Sequence, residues 1–279
     1  MTSAASNGTV FRLDRGYVEV RGPDAEDFLE RMLSNEIAPL EAGSSAQALL
    51  LTPKGRIIAP LRAIRTAPDT FVLVTDSSDL AGPVADSLRA ARFASRCEIG
   101  VRPWAGFVQV GSEPEAPAVR TPDFGVEAWE AWREAPAEGE DARELEPLRI
   151  EAGTPAWGKE IDEAILPAEA GLDETHISFT KGCFVGQEIV IRVLHRGGGR
   201  VARKLVGFRL AAAVPTGAKV HSDEREVGFL TSVAASPTLG PIALGYVHRD
   251  FVAPGTAVAI AVDDQRVDAL VSALPMTAS

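Results

Sequence analysis

The segment best equipped for chemistry centres on a cysteine, Cys183, in the octapeptide KGCFVGQE at 181–188. The two glycines allow a tight backbone on either side of the thiol. The Gln-Glu pair suits the first turn of a helix, and a helix N-terminus together with Lys181 would stabilise the thiolate. Such a thiol could be nucleophilic, redox-active or a metal ligand. The residues leave open the alternative of a small buried cysteine that packs the start of a helix.

A basic segment follows the cysteine motif. Its six potential cations fall within thirteen residues and are interrupted by three glycines: Arg192, His195, Arg196, Arg200, Arg203 and Lys204. In an acidic protein this cluster favours an anionic ligand, such as a polyglutamate tail or a phosphate. The alternative is a solvated interdomain linker with surface arginines.

A third candidate is Glu151, in the sequence LRIEAG at 148–153, which precedes WGKE at 157–160. A carboxylate beside a glycine can accept two hydrogen bonds from an amidine-like edge, such as that of a pterin ring. A surface or N-cap glutamate would look the same. The four histidines are scattered and form no metal-like pair or catalytic triad, so the sequence predicts no metal site.

Composition narrows the function classes. The chain has 279 residues, 46% hydrophobic and 24% charged, with a formal net charge of −11. That charge argues against direct binding of nucleic acid or of an anionic membrane surface. No run approaches the roughly 20 apolar residues that span a bilayer, and the start does not resemble a signal peptide. With two cysteines and no metal-type cluster, we expect a cytoplasmic protein.

These residues need a scaffold, and the first third of the chain predicts a mixed α+β unit. Strands are expected at 17–20, 70–75, 97–101 and 107–110, and a hairpin at 46–65 turns at Thr52-Pro53-Lys54-Gly55. Apolar residues at helical spacing predict helices after Asp24 and over 79–93. The stretch 111–124 is typical of a connection, and the acidic stretch 134–146 of a solvated helix face or loop.

The C-terminal part predicts a small closed β-barrel. Five short β-type runs, at 205–210, 226–233, 242–248, 257–262 and 266–271, are separated by frequent turn signals. We therefore expect three units: 1–110 as an N-terminal α+β subdomain, 111–200 as a second α+β subdomain with the cysteine motif, and 201–279 as the barrel.

KGCFVGQE followed by Arg192 resembles the signature of the YgfZ family, K-G-C-aromatic-x-G-Q-E with an arginine four residues on. The similarity extends to GPDAEDFLERMLSNEIAPLEAG at 22–43, LTPKGRII at 51–58, LPAEAGL at 166–172 and the barrel. It covers most of the chain apart from 111–146. The chain departs from the family at Leu194, where a basic residue is common.

The resemblance implies a fold like that of the glycine-cleavage T-protein: an α+β body of mixed sheets and flanking helices around a central hole, plus the barrel. It implies that 1–110 is an N-terminal folate-binding subdomain with tetrahydrofolate as cofactor. It also implies a role in assembling or repairing iron–sulfur clusters in client enzymes such as tRNA methylthiotransferases. Cys183 would be the functional thiol. The folate contacts would be Glu151, Lys181, Arg192, Arg196 and Arg200.

The resemblance also suggests alternatives. T-protein aminomethyl transfer uses an acidic pair just after the hairpin turn, and this chain has Ala59 and Pro60 there. The substitution counts against a classical aminomethyltransferase; any enzymatic activity would be folate-dependent one-carbon or aminomethyl transfer. The folate domain of a sarcosine-type demethylating enzyme usually accompanies a flavin module, and the chain has no dinucleotide fingerprint. Direct RNA binding is disfavoured by charge.

Overall fold

The computed structural model describes residues 8–114, 118–134, 139–196 and 201–277. Within these ranges the chain forms two open five-stranded sheets and one closed six-stranded barrel. No helix among the described residues is long and apolar enough to cross a membrane. The α+β body and the C-terminal barrel predicted from the sequence are both confirmed.

Ten strands and three helices build the body, up to the segment that carries the motif. The strands are β1 Thr9–Leu13, β2 Gly16–Arg21, β3 Ser45–Leu51, β4 Ile57–Ala67, β5 Thr70–Thr75, β6 Glu98–Arg102, β7 Ala105–Val110, β8 Ala118–Arg120, β9 Ala128–Arg133 and β10 Glu140–Asp141. The helices are α1 Ala25–Met32, α2 Ala81–Ala91 and α3 Glu146–Ala152. A fourth helix, α4 Gln187–Arg196, follows the cysteine motif as predicted.

The first sheet has the order β3-β4-β5-β2-β6 and carries α1 and α2 on one face. Helix α1 buries Ala25, Phe28, Leu29 and Met32, which recur three to four residues apart and so form one apolar stripe. The predicted hairpin is confirmed as β3 and β4, paired from Ser45 with Ile64 to Leu51 with Ile57. The other face of this sheet is left for contact with the rest of the body.

The second sheet has the order β10-β1-β7-β9-β8. The prediction that 111–124 is only a connection was wrong, because β8 lies within it and pairs with β9. The acidic stretch 134–146 was expected as a helix face or loop; β10, within it, pairs in parallel with β1. Both strands are only two or three residues long, too short for an alternating pattern to show in the sequence. Strand β9 was missed as well, because its inward-facing Glu130, which accepts from Arg15 and Arg62, interrupts the apolar pattern. The expected boundary at 110 falls inside this sheet, between β7 and β8.

The barrel closes in the order β11-β14-β13-β12-β15-β16. Its strands are β11 Arg203–Leu210, β12 Lys219–Ser222, β13 Arg225–Ser236, β14 Gly240–His248, β15 Ala257–Val262 and β16 Gln265–Ser272. Strand β12 was missed from the sequence because it is four residues long with one buried side chain, Val220. Full closure leaves no free sheet edge in the barrel.

Helix α3 joins the body to the barrel. The buried Arg149 guanidinium donates to Glu146, to Glu160 and to the Ser232 hydroxyl of β13 at 2.7–3.0 Å. The Ser232 hydroxyl in turn donates to Glu160 at 2.6 Å, and the Tyr246 hydroxyl donates to the Glu160 carbonyl at 2.8 Å. These hydrogen bonds fix the barrel against the segment that closes the body.

Candidate functional site

A cavity lies where the two open sheets face each other. Its lining comes from β3, β4, β5, the ends of β1 and β8, strand β9 and the segment 154–176: Arg15, Gln47, Pro60, Leu61, Arg62, Val74, Asp76, Asp123, Glu130, Thr154, Pro155, Ile161, Leu172 and His176. The space free of atoms totals about 440 Å³, part of it open to solvent.

Two arginines and three carboxylates form the polar wall of this cavity. Arg62 of β4 donates to Asp123 at 2.8 Å and to Glu130 at 2.9 Å. Arg15 contacts the same two carboxylates at 3.2 Å and reaches Asp76 at 3.3 Å. Both guanidiniums thus bridge the two sheets, because Arg62 and Asp76 belong to the first sheet region and Glu130 to the second.

The wall carries one more negative than positive formal charge. Burial alone would raise the pKa of Asp123, but Arg62 and Arg15 outweigh it and hold that pKa below its ordinary value. Asp76 behaves in the opposite way. Burial, reinforced by Asp123 and Glu130, raises the pKa of Asp76 to about 6 against the opposing effect of Arg15. Asp76 is therefore the carboxylate of the wall that the two arginines compensate least.

His176 closes one side of the cavity and is neutral. Burial lowers its pKa to about 4, and its Nδ1 lies 2.8 Å from the Thr175 hydroxyl. A neutral imidazole adds no charge to the wall at pH 7.

The position at which T-proteins carry their acidic pair contributes no acid here. Ala59 is completely buried in the core of the first sheet, whereas Pro60 lines the cavity. Leu61 of β4 pairs with Thr75 of the antiparallel strand β5, so the next residues beyond this pair, Pro60 and Asp76, lie opposite each other. The cavity thus has an acid opposite position 60, not at position 60 itself.

Cys183 is exposed, on a loop that leads into α4, while Cys97 is buried; both are free. Gly186, at φ +86°, turns the chain into α4, and a Cβ there would lie 2.6 Å from the Thr52 carbonyl oxygen. Only glycine fits this contact between the motif and the β3–β4 turn. The alternative of a buried packing cysteine therefore does not hold for Cys183.

Lys181 anchors the thiol loop to the body. Its ammonium forms an ion pair with Glu30 at 3.1 Å and donates to the carbonyls of Leu33 at 3.0 Å and Asn35 at 2.6 Å. The side chain is 1% exposed. Three acceptors match the three N–H donors of an ammonium, so none remains for a ligand. Lys181 positions the loop.

Ser34 and Asn35 connect the cavity with the thiol loop. The Ser34 hydroxyl donates to the His176 carbonyl at 2.6 Å and accepts from the Leu49 amide at 2.7 Å. The Asn35 amide donates to the carbonyl of Gln47, a cavity residue, at 2.8 Å, and the Asn35 carbonyl accepts from Lys181. The cavity strand β3 and the motif are thus tied to the same two residues.

The remaining predicted contacts lie apart from the cavity. Glu151 is on α3, where its carbonyl accepts from the Met276 amide at 2.7 Å, and it is not among the described residues that line the cavity. Arg192 is exposed on α4. Arg196 ends α4, but its side chain lies outside the described part, and Arg200 lies outside it entirely. The structure therefore gives the Glu151 prediction no support and leaves the arginines as predictions.

None of the five charged residues of the cavity wall was predicted from the sequence. A signal was present for two of them, because Arg62 stands in the apolar strand IIAPLRAI and Glu130 between two tryptophans in AWEAWR. A charge inside such a strand is buried only when paired. Among the described residues no group of three or more His, Cys, Asp or Glu side chains could hold a metal ion.

Comparison with known proteins agrees with this architecture. Residues 14–97 match the GCVT N-terminal domain, and residues 203–277 match the glycine cleavage T-protein C-terminal barrel domain. An aminomethyltransferase from Halothermothrix orenii is 27% identical over 93% of this chain and 85% of that protein. An uncharacterized protein from Haemophilus influenzae is 27% identical over 77% and 80% of the two chains.

Among solved structures, the glycine cleavage system aminomethyltransferase T from Bartonella henselae superposes with a TM-score of 0.86, at 22% identity, over 97% of this chain and 86% of that one. The chain therefore combines GCVT N-terminal and C-terminal barrel domains in an aminomethyltransferase-like fold.

Proposed function

On this aminomethyltransferase-like fold, we propose that the protein binds tetrahydrofolate in the central cavity and supports assembly or repair of iron–sulfur clusters in client enzymes such as tRNA methylthiotransferases. Cys183 is the functional thiol, and the cluster is cargo. One observation carries the proposal: the exposed Cys183 stands on a loop that Lys181 clamps to the Ser34–Asn35 segment bordering the cavity.

The donor set of the cavity suits a pterin ring. Asp76 and the side-chain carbonyl of Gln47 supply acceptors on the ligand side, while Arg15 and Arg62 hold Asp123 and Glu130 in place behind them. Arg192, Arg196 and Arg200 are proposed to hold the anionic tail outside the cavity, because cations attract polyglutamate. Lys181 is assigned to positioning, since its ammonium is already saturated.

Aminomethyl transfer is the second candidate, favoured by the similarity to aminomethyltransferases in sequence and fold. It needs an acid near folate N5, and at the family position this chain presents Pro60 to the cavity and buries Ala59. Neither side chain can hold or move a proton, and the acid that the cavity does present, Asp76, follows the neighbouring strand β5 and does not occupy the family position. We therefore rank a binding and maintenance role above transferase chemistry. Clients, rather than nucleic acid, are the proposed macromolecular partners, in the cytoplasm.

The test compares wild type with Cys183→Ala. Tetrahydrofolate affinity is measured by anaerobic equilibrium titration, and cluster content is measured in a methylthiotransferase purified from cells under oxidative stress. We expect unchanged folate affinity, because an exposed thiol outside the cavity is removed, and loss of cluster in the client. Cys97→Ala, which removes the buried cysteine, is the control, and the client enzyme should keep its iron–sulfur cluster with this variant.

Two results would contradict the proposal. If the client enzyme kept its full iron–sulfur cluster content with Cys183→Ala, the proposed role of the thiol would be wrong. If the wild type did not bind tetrahydrofolate, the proposed cofactor would be wrong. Turnover of an aminomethyl donor with tetrahydrofolate would favour the second candidate.

A further inference from the structure

The acids of the cavity wall differ in how far the protein satisfies them. Glu130, 1% exposed, and Asp123 each contact both Arg15 and Arg62. Within the described chain Asp76 has one ion-pair partner, Arg15, at 3.3 Å, the longest contact of the group. Its side chain is 27% exposed and lines the cavity. Asp76 therefore retains acceptor capacity on the ligand side.

The charge around Asp76 determines what kind of ligand group fits. Three carboxylates face two guanidiniums, so an anionic group placed here would meet a net negative wall. A neutral group with N–H donors would instead complete the hydrogen bonding of Asp76. The raised pKa of this carboxyl agrees, since burial and the two neighbouring acids leave its ionised form undercompensated.

From this geometry we infer that Asp76 is the ligand-contacting acceptor of the cavity, which takes N–H donors of a neutral heterocycle and so directs the ring inward and an anionic tail outward. The inference rests on the proposed function. It replaces Glu151, which lies off the cavity, as the acidic residue that recognises the ring.

The consequence is that ring and tail contribute separately to affinity. A charge-assisted hydrogen bond contributes about 1.5–3 kcal/mol, so its loss weakens binding about ten- to a hundredfold. Because Asp76 contacts the ring alone, a tetrahydropterin that lacks the glutamate tail should lose affinity by the same factor as tetrahydrofolate.

The experiment measures dissociation constants of wild type, Asp76→Asn and Asp79→Asn for tetrahydrofolate and for 6-methyltetrahydropterin, anaerobically. Asp79→Asn removes an equal charge from an exposed residue of the same segment and is the matched control. Thermal unfolding verifies that Asp76→Asn folds, and if it does not, Asp76→Glu is measured in its place, with a weaker loss expected for a displaced carboxylate. We expect equal weakening for both ligands with the Asp76 variant and none with the control.

Unchanged affinity in the folded Asp76 variant would overturn the inference and leave the proposed function intact. A loss confined to tetrahydrofolate would also overturn it, because Asp76 would then act on the tail. If the wild type bound neither ligand, the proposed function itself would fail, and the inference with it.

Discussion

The anchoring of the thiol loop by Lys181 can be tested by replacing that lysine with methionine. Lys181→Met keeps most of the apolar stem and removes the ammonium, with its ion pair to Glu30 and its hydrogen bonds to the Leu33 and Asn35 carbonyls. The side chain is 1% exposed, so water cannot readily replace the lost donor. The perturbation therefore tests whether this clamp holds the motif against α1.

The expected cost follows from what each partner loses. A buried carbonyl left without a donor costs about 1–3 kcal/mol. Glu30 is better protected, because its side chain is 26% exposed and keeps hydrogen bonds from the Ile37 and Ala38 amides at 2.7 and 2.9 Å. Burial lowers the pKa of Lys181, and Glu30 offsets that lowering only in part. The buried ammonium therefore carries a desolvation cost that the methionine side chain does not have. We expect a net loss of about 1–3 kcal/mol, below the sum of the separate contacts.

The free energy of unfolding is measured by urea titration, with Lys54→Met as control because Lys54 is exposed on the β3–β4 turn. The rate at which a thiol reagent labels native protein supplies a second measure. Labelling of Cys183 should accelerate in the Lys181 variant, since the loop loses its tether. If Lys181→Met unfolded within about 0.5 kcal/mol of the wild type and labelled at the same rate, the reasoning would be refuted.

Three further predictions follow from the same contacts. Gly186→Ala should lower the free energy of unfolding by about 1–3 kcal/mol through its positive φ and the close Thr52 carbonyl, whereas Gly182→Ala, with open space around its Cβ, should be near neutral by urea titration; equal effects would contradict the role of the turn. Arg62→Met should cost about 3–5 kcal/mol because Asp123 and Glu130 lose a buried partner, against little for the exposed Arg89→Met; a neutral Arg62→Met would show the wall to be dispensable for stability. Arg149 and Lys159 overcome the effect of burial and lower the pKa of Glu146 to about 2, so its stabilising contribution is present above about pH 4.3 and lost as the pH falls towards 2. Urea midpoints across that window should fall less in Glu146→Gln than in the wild type, and parallel curves would contradict this assignment.

Local patterns were sufficient for most of the first sheet and the barrel. Helix α1 has its apolar residues at helical spacing, and the β3–β4 hairpin has a turn signal between two apolar runs, so each could be predicted from a short window. The second sheet could not be predicted in this way. Its strand β9 alternates around Glu130, which is buried only because Arg15 and Arg62 arrive from distant parts of the chain.

The candidate site likewise has a part that a local motif predicts and a part that only the folded chain brings together. Cys183 stood out because an eight-residue motif is a local feature, and its exposure on the loop before α4 fits that expectation. Lys181 was predicted as a folate contact from the motif, whereas its bonds to backbone carbonyls 146 and 148 residues away have no local signature. The cavity acids had no local signature. Asp76 differs from other acids because Arg15, Asp123 and Glu130, which are distant in sequence, lie around it in the folded chain.

The double attachment of Ser34 also has a consequence for hydrogen exchange. The Leu49 amide donates to the Ser34 hydroxyl, and the Ser178 amide donates to the Ser34 carbonyl. The exchange of one amide proton in the cavity strand β3 and of one in the segment before Cys183 is therefore limited by hydrogen bonds to the same residue. Amides held by a common partner open together when that partner leaves. We expect Leu49 and Ser178, 129 positions apart in the chain numbering, to exchange with the same opening free energy. Ser34→Ala removes the side-chain acceptor of the Leu49 amide and should accelerate exchange there, whereas the Ser178 amide keeps its backbone acceptor and should change less.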